Sequence, residues 1–464
     1  MSDPLPSPRE ELGAQWRNPE DILSLLLLIG GDIVQKSIAQ MVGYHPFAPK
    51  HLAEKTRGCS ALLARIPVTP VAFSFGWIAF GFNQVMSAVG DRRLLPVPEQ
   101  SAIVVNCANA FTRDNKSWVL DRLLRDHEIR NRVDANMDSV RIDIFELGPL
   151  HQPKPDHVWW LGWFTILVQI GLAVASWVKY DRWGAMLVVL GGNLLAAVTC
   201  SLPQWTDEKW AGRTLDRNNV ICLTRGNGHK HAMVIIGKEG CPDLETLSTA
   251  NIAARPETPI CTFILAGLWV CLLVSVSGLK EQSWFLVGAG GLGMLQNAYA
   301  AGAKRPSSTT GIQLRPFQRM PTITGKSAEV PYEPDATVDV EAAGRDVQPL
   351  ETWIGSLKTP HPQKMPGWLE SMAKTDGVPD WLEPAQTPAD IIRVHGALKE
   401  LEKWVPGAGL ALIKIFFPAR LDFEEDSVRD NINKKFWKRA WHTKRVRRNA
   451  EHARRRQEQT VHYD

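Results

Sequence analysis

Apolar residues in this 464-residue chain gather into long runs almost free of charge, and polar residues fill the stretches between them. Crossing ~30 Å of hydrocarbon at ~1.5 Å per helical residue takes about 20 residues. Five runs reach that length, starting near Pro67, Val158, Trp183, Pro259 and Trp284. Lys179-Tyr180-Asp181-Arg182 joins the second to the third, and Lys280-Glu281-Gln282-Ser283 the fourth to the fifth, so each pair reads as an antiparallel helix hairpin. Trp159, Trp160, Trp163, Trp177, Trp183 and Trp284 cluster at the run ends, where an indole favours the membrane interface. A sixth run begins at Ile22, and its Leu-rich start gives way after Gly31 to Asp32, Gln35, Lys36 and Gln40. Asp32 and Lys36 share a helix face, so pairing offsets part of an insertion penalty of about 2.5–3.5 kcal/mol per mid-bilayer charge. This run reads as a span, with an interfacial helix as the alternative.

The polar stretches have periodicities of their own. The first long one predicts a strand at Ala102–Asn106, a helix over about Lys116–Ile129 and a strand at Val140–Glu146. In the next, the β-rich runs Val220–Thr224 and His231–Ile236 flank Arg225-Gly226-Asn227-Gly228, whose Asn-Gly step is a strong hairpin signal. A lone hairpin is marginal in water, so the two stretches are expected to combine. The predicted fold is an α-helical polytopic membrane protein with about six transmembrane helices and a small cytosolic α/β domain built from two inter-helix loops. Its segments are an N-terminal piece (1–21), two membrane helices (22–90), a cytosolic α/β loop (91–157), a membrane hairpin (158–202), a β-hairpin loop (203–258), a second membrane hairpin (259–303), a linker (304–388) and a helical basic tail (389–464).

Averages conceal this segregation, since 22% charged residues and a mean hydropathy of -0.16 are ordinary for a soluble protein. Charge matters through its placement. The tail concentrates Lys434, Lys435, Lys438, Arg439, Lys444 and Arg445 beside Phe436, Trp437 and Trp441. Such a helix suits an anionic leaflet, at about 1 kcal/mol per basic residue near the surface, or is a solvated charged helix. Counting Lys and Arg places the large loops and both termini in the cytosol. The expected partners are the lipid bilayer, anionic lipids through the basic tail, and a protein partner. Nucleic acid is not expected, because the net charge is only +4 and the chain is tethered to a membrane. Seven cysteines without a CxxC pair indicate neither a disulfide framework nor a zinc site, and the N-terminus lacks a signal-peptide pattern.

Candidate chemistry is sparse, and no cofactor or metal is expected. Gly288-Ala289-Gly290-Gly291-Leu292-Gly293 fits the GxGxxG pattern but lies inside an apolar run without a βαβ unit, so it reads as close helix packing. His229 and His231, with Cys222 or Cys241, form an incomplete metal set and read as a polar strand face. The polar residues within the runs, Asp32, Lys36, Asn83, Gln84, Gln169, Asn193, Gln296 and Asn297, are the stronger candidates. The amides read as interhelical glue, whereas Asp32 and Lys36 are as suited to a substrate or proton path.

Gly30-Gly31-Asp32-Ile33-Val34-Gln35-Lys36, Pro70-Val71-Ala72-Phe73-Ser74-Phe75-Gly76-Trp77 and Leu223-Thr224-Arg225-Gly226-Asn227-Gly228 resemble segments of a group of multi-pass membrane proteins of filamentous fungi. The resemblance implies the same architecture and no catalytic residues. Three functions stay open: a non-enzymatic interaction or regulatory platform, a transporter or channel-like protein using Asp32 and Lys36, and a membrane enzyme acting on a lipophilic substrate with His229 and His231 as its acid-base pair.

Overall fold

The computed structural model describes residues 30–44, 68–134, 136, 138–151, 153–181, 183–251, 255–277, 283–327, 354, 391–418, 436–438, 440–449 and 452–453. In chain order its elements begin with α1 (Gly31–Met41), α2 (Gly76–Val89), β1 (Ile103–Asn106), β2 (Phe111–Asp114), α3 (Trp118–Arg130), β3 (Asp138–Leu147), α4 (His157–Tyr180), α5 (Gly184–Cys200) and α6 (Gln204–Lys209). They continue with β4 (Asn219–Thr224), β5 (His231–Gly237), α7 (Leu244–Thr249), α8 (Glu257–Ser277), α9 (Ser283–Gly302), β6 (Leu314–Pro316), β7 (Thr322–Lys326), α10 (Arg393–Trp404) and α11 (Ala408–Phe416). Contacts divide them into a helical unit (Met1–Val97, His151–Ala211, Asn251–Gly311) and a sheet unit (Pro98–Leu150, Gly212–Ala250, Ile312–Asp464).

Two helices among the described residues are long and apolar enough to cross a membrane: α4, and Glu257–Val276 within α8. The other predicted spans fall short for local reasons. α5 has 17 residues, and the 20 residues of α9 are diluted by glycines, Gln296 and Asn297. The run from Pro67 breaks into an irregular, non-helical segment, 68–75, followed by the 14-residue α2. Pro70 accounts for the break, because it has no N–H and disfavours helical geometry at Thr69. The Leu-rich start of the run from Ile22 lies outside the described residues, and its continuation is the 11-residue α1. With a seven-stranded mixed sheet forming a unit of its own, these lengths overturn the expectation of an α-helical polytopic membrane protein with about six transmembrane helices. The α/β part is also no small domain from two loops, since it draws on three stretches of chain.

The helical unit is built around the irregular segment. Every residue from Thr69 to Phe75 is buried, and its backbone groups need partners; Val71 N finds the Thr69 carbonyl at 2.9 Å, and others must be met from outside the segment. Side-chain amides supply them. Ala72 N donates to Gln296 Oε1 at 3.2 Å and Phe73 N to Asn193 Oδ1 at 3.1 Å. Gln169 Nε2 donates to Phe73 O at 2.7 Å and to Ala289 O at 2.8 Å, while Asn297 Nδ2 donates to Ala72 O at 3.2 Å and Ser74 Oγ at 3.0 Å. Asn193 Nδ2 in turn donates to Gln169 Oε1 at 3.1 Å. Glycines let the helices approach. A Cβ at Gly162 would strike the carbonyl oxygen of Pro70, one at Gly290 the Phe75 ring, and one at Gly293 the carbonyl oxygen of Phe73. Two glycines of the GxGxxG pattern therefore serve packing.

The sheet runs β2-β1-β4-β5-β3-β6, with β7 beside β6 along β3, and β3 pairs β5 in parallel while the other pairs are antiparallel. The β4–β5 hairpin turns where Asn227-Gly228 predicts it, with Gly226 and Gly228 at φ of +90° and +89°. Alternation assigns the faces. Val140, Ile142, Ile144, Val220, Cys222, Val234 and Ile236 form one core with Leu398 and Leu401 of α10, Leu412 of α11, and Phe436 and Trp437. The opposite face of β3 meets α3, where His127 packs edge-on against Phe145 at 5.5 Å.

Glycine substitution separates the buried segment from the helix surface. A Cβ at Gly171, within α4, would meet nothing within 4 Å, so Gly171→Ala is expected to stabilise by up to about 1 kcal/mol. Gly293→Ala is expected to cost at least ~2 kcal/mol by overpacking against backbone. Thermal unfolding in detergent checks this, and equal effects at the two positions would contradict it.

Candidate functional site

The polar residues picked out in the runs divide between structure and surface. Asn193 and Asn297 are partners of the buried segment, together with Gln169 and Gln296. Asp32 is exposed on the first turn of α1, Lys36 is half-buried one turn later, and Asn83 is exposed on α2. The charged groups that do organise the helical unit lie just outside the apolar runs. Lys209 Nζ donates to Gln40 O at 3.3 Å and Val42 O at 2.8 Å, and Arg305 Nη1 also reaches Gln40 O, so cations satisfy the last carbonyls of α1. Arg305 is held in turn by both carboxylate oxygens of Asp156 at 2.8 Å.

In the sheet unit the histidines sort differently from expectation. His229 is exposed in the β4–β5 turn, Cys222 belongs to the core, and Cys241 Sγ donates to Leu147 O at 3.2 Å. His231 instead faces His127 of α3, with ring centroids 6.3 Å apart. His127 Nε2 lies 2.8 Å from Asp143 Oδ2, and its Nδ1 lies 3.1 Å from Asn131 Nδ2. Because an amide nitrogen only donates, Nδ1 accepts and Nε2–H donates to the carboxylate. Arg141 Nε and Nη2 and Thr322 Oγ1 complete the shell of Asp143 at 2.9, 3.1 and 2.6 Å. Burial alone pushes Asp143 up, but the bonds from His127, Arg141 and Thr322 outweigh it and hold the carboxyl at about 2. Both nitrogens of His127 are thus committed, and burial lowers the pKa of His231. His231 Nδ1 is buried without a hydrogen-bond partner among the described residues.

A cleft lined in part by polar side chains lies on the sheet unit and holds about 500 Å³ of empty space, part of it open to solvent. Cys107, Ala108 and Val220 line one side, Glu402 and the Pro406-Gly407 turn another, and Thr443, Lys444, Arg447 and Arg448 the third. The last four recur at helical spacing and so share a face of the helical stretch 440–449. Glu402, 2% exposed, accepts from Gly407 N at 2.6 Å and Leu410 N at 3.0 Å, which caps α11. Burial pushes the Glu402 carboxyl up to about 7 against the opposing effect of those two N–H groups, Lys444 and Arg447. Lys444 Nζ donates to Cys107 O at 3.0 Å, and burial lowers its pKa. Thr443 Oγ1 is buried without a hydrogen-bond partner, in a residue 4% exposed.

Only part of the basic tail is where a membrane-surface helix would have it. Lys438 and Arg445 are exposed, Lys444 faces the cleft, and Lys434, Lys435 and Arg439 lie outside the described residues. The tail aromatics Phe436 and Trp437 are core residues, and Trp437 Nε1 donates to His395 Nε2 at 2.7 Å. Among the described residues, no group of three or more His, Cys, Asp or Glu side chains is placed to hold a metal ion. No protein-family model, curated protein or solved structure matches this chain.

Asp143 sets a pH dependence with a definite sign. The unfolded chain takes up this proton near the ordinary carboxyl value of 3.8, whereas the folded chain keeps the group ionised down to about 2. Its contribution, about 2 kcal/mol, is therefore complete above pH ~4 and fades as pH falls towards ~2. The stability gap between wild type and Asp143→Asn, read by urea unfolding of the sheet unit, is expected to shrink across that window. A gap that stays constant from pH 5 to 2, on the scale of about 2 kcal/mol, would contradict the assignment.

Proposed function

We propose that this chain is a membrane-anchored binding protein without catalysis of its own, the helical unit seated in a bilayer and the sheet unit offering its cleft to a ligand. One observation carries the anchoring: only 28% of the apolar window of α4 and 33% of that of α8 is buried, although a core helix of a water-soluble protein hides most of its surface. Phe164 at 63% exposed, Leu167 at 64%, Phe263 at 72% and Leu194 at 65% extend this surface over α4, α5 and α8. An apolar belt of that size in water is an association site, and hydrocarbon is the solvent it suits. Trp160 and Trp177 near the two ends of α4 match the interfacial preference of indoles.

The non-catalytic half rests on commitment of the polar groups. Gln169, Asn193, Gln296 and Asn297 bond backbone, and the nitrogens of His127 are occupied by Asp143 and Asn131. A path through the helical unit using Asp32 and Lys36 lacks a buried carboxylate, since Asp32 is exposed.

Alkaline carbonate extraction of membranes from cells making the full chain tests the anchoring. The chain is expected to stay in the pellet and to leave it only with detergent. Quantitative release into the carbonate supernatant would overturn the proposal.

A further inference from the structure

We propose that the cleft lined by Thr443, Lys444, Arg447 and Arg448 binds a phosphate group. The inference deepens the reading of the cleft as the binding site and is independent of the bilayer seat.

Lys444, Arg447, Arg448 and Thr443 line one concave space from a single helix face. The carboxylate in the same lining, Glu402, is turned to other work: its two oxygens accept the N–H groups of Gly407 and Leu410 at the start of α11. Those N–H groups are therefore not the anion site. The basic side chains of the lining are, and Glu402 is the one carboxylate among the lining residues. Arginine presents its N–H donors in a planar fork that matches phosphate oxygens, and lysine adds a point charge. Thr443 supplies the second, independent sign of a ligand. A hydroxyl buried without a partner carries a desolvation cost, and the oxygen here belongs to a residue that lines the cleft. A phosphate oxygen accepting from Oγ1–H relieves that cost, and the cations neutralise its charge. The Gly407 backbone, at φ +90°, keeps this rim free of a side chain.

Phosphate can arrive free or on a lipid headgroup, and both present the same terminal oxygens. The test therefore uses two soluble probes on the full chain in neutral detergent: inorganic phosphate and dihexanoyl phosphatidic acid, with acetate as the control anion. Titration calorimetry is expected to show saturable binding at one site per chain for a phosphate probe and none for acetate. Thr443→Val keeps the shape and removes a hydroxyl that bonds nothing in the fold, so its melting temperature is expected not to fall while phosphate binding weakens about tenfold or more. Arg448→Gln, at an exposed position, is expected to weaken binding similarly with the fold intact. A headgroup source shows as tighter binding of phosphatidic acid than of inorganic phosphate, and a free-phosphate source as equal or tighter binding of the inorganic ion. The proposal is overturned by wild type that saturates with neither probe, by acetate that competes equally, or by Thr443→Val that binds as wild type does. Carbonate extraction is unaffected by any of these results, so failure of the phosphate assignment and failure of the anchor remain distinct.

Discussion

A buried backbone amide or carbonyl must find a hydrogen-bond partner, and the segment from Thr69 to Phe75 poses that demand where neither helix nor sheet can meet it. Each group left unpaired costs about 1–3 kcal/mol, so a few failures would consume much of a domain's stability. The helical unit is organised around avoiding those failures. Gln169 reaches the segment from α4, Asn193 from α5, and Gln296 and Asn297 from α9, and each bond fixes the helix that carries it against the same stretch of backbone. Phe73 stacks nearly parallel to Trp269 of α8 at 6.3 Å, which ties in a further helix through an apolar contact. Glycines at 162, 192, 290 and 293 set how near these helices come.

That constraint bears directly on function. Polar residues inside an apolar bundle invite a transport reading, but here Gln169, Asn193, Gln296 and Asn297 bond the protein's own backbone, while Gln84 Nε2 and Asn297 Oδ1 are buried without a partner among the described residues. The sheet unit follows the same economy around Asp143, which four hydrogen bonds from three side chains surround, and around Glu402, whose oxygens cap α11. Thr443 departs from it. Its buried hydroxyl is unmatched in a residue that lines the cleft with Lys444, Arg447 and Arg448.

Local pattern made much of the sheet unit legible. Ala102–Asn106, Val140–Glu146, Val220–Thr224 and His231–Ile236 correspond within one or two residues to β1, β3, β4 and β5, because alternation and the Asn-Gly turn are properties of neighbouring residues. β6 and β7 lie in a Pro- and Thr-rich stretch whose strands gain order only by pairing with β3, which no short window of sequence reveals. The helical unit misled for a related reason. Run length counts apolar residues without asking what backbone they adopt, and Pro70 was the readable sign that the run from Pro67 is not one helix. In the tail, Phe436 and Trp437 define an apolar face, yet sequence does not tell whether lipid or a sheet covers it. The cleft was the least legible feature, since Thr443 gains its meaning only from Glu402, more than 40 positions away, and from the turn at Gly407.

The central claim is that side-chain amides hold the backbone of this irregular segment as firmly as a helix holds its own. Hydrogen–deuterium exchange of the full chain in detergent, followed on peptides covering 68–75, tests it most directly. The amides of Ala72 and Phe73 are predicted to exchange as slowly as those in the middle of α4, and to lose that protection in Gln296→Leu and Asn193→Leu respectively, whose side chains accept from them. Exchange within seconds in the wild type would mean that the segment is open to solvent and that the amides are not its partners.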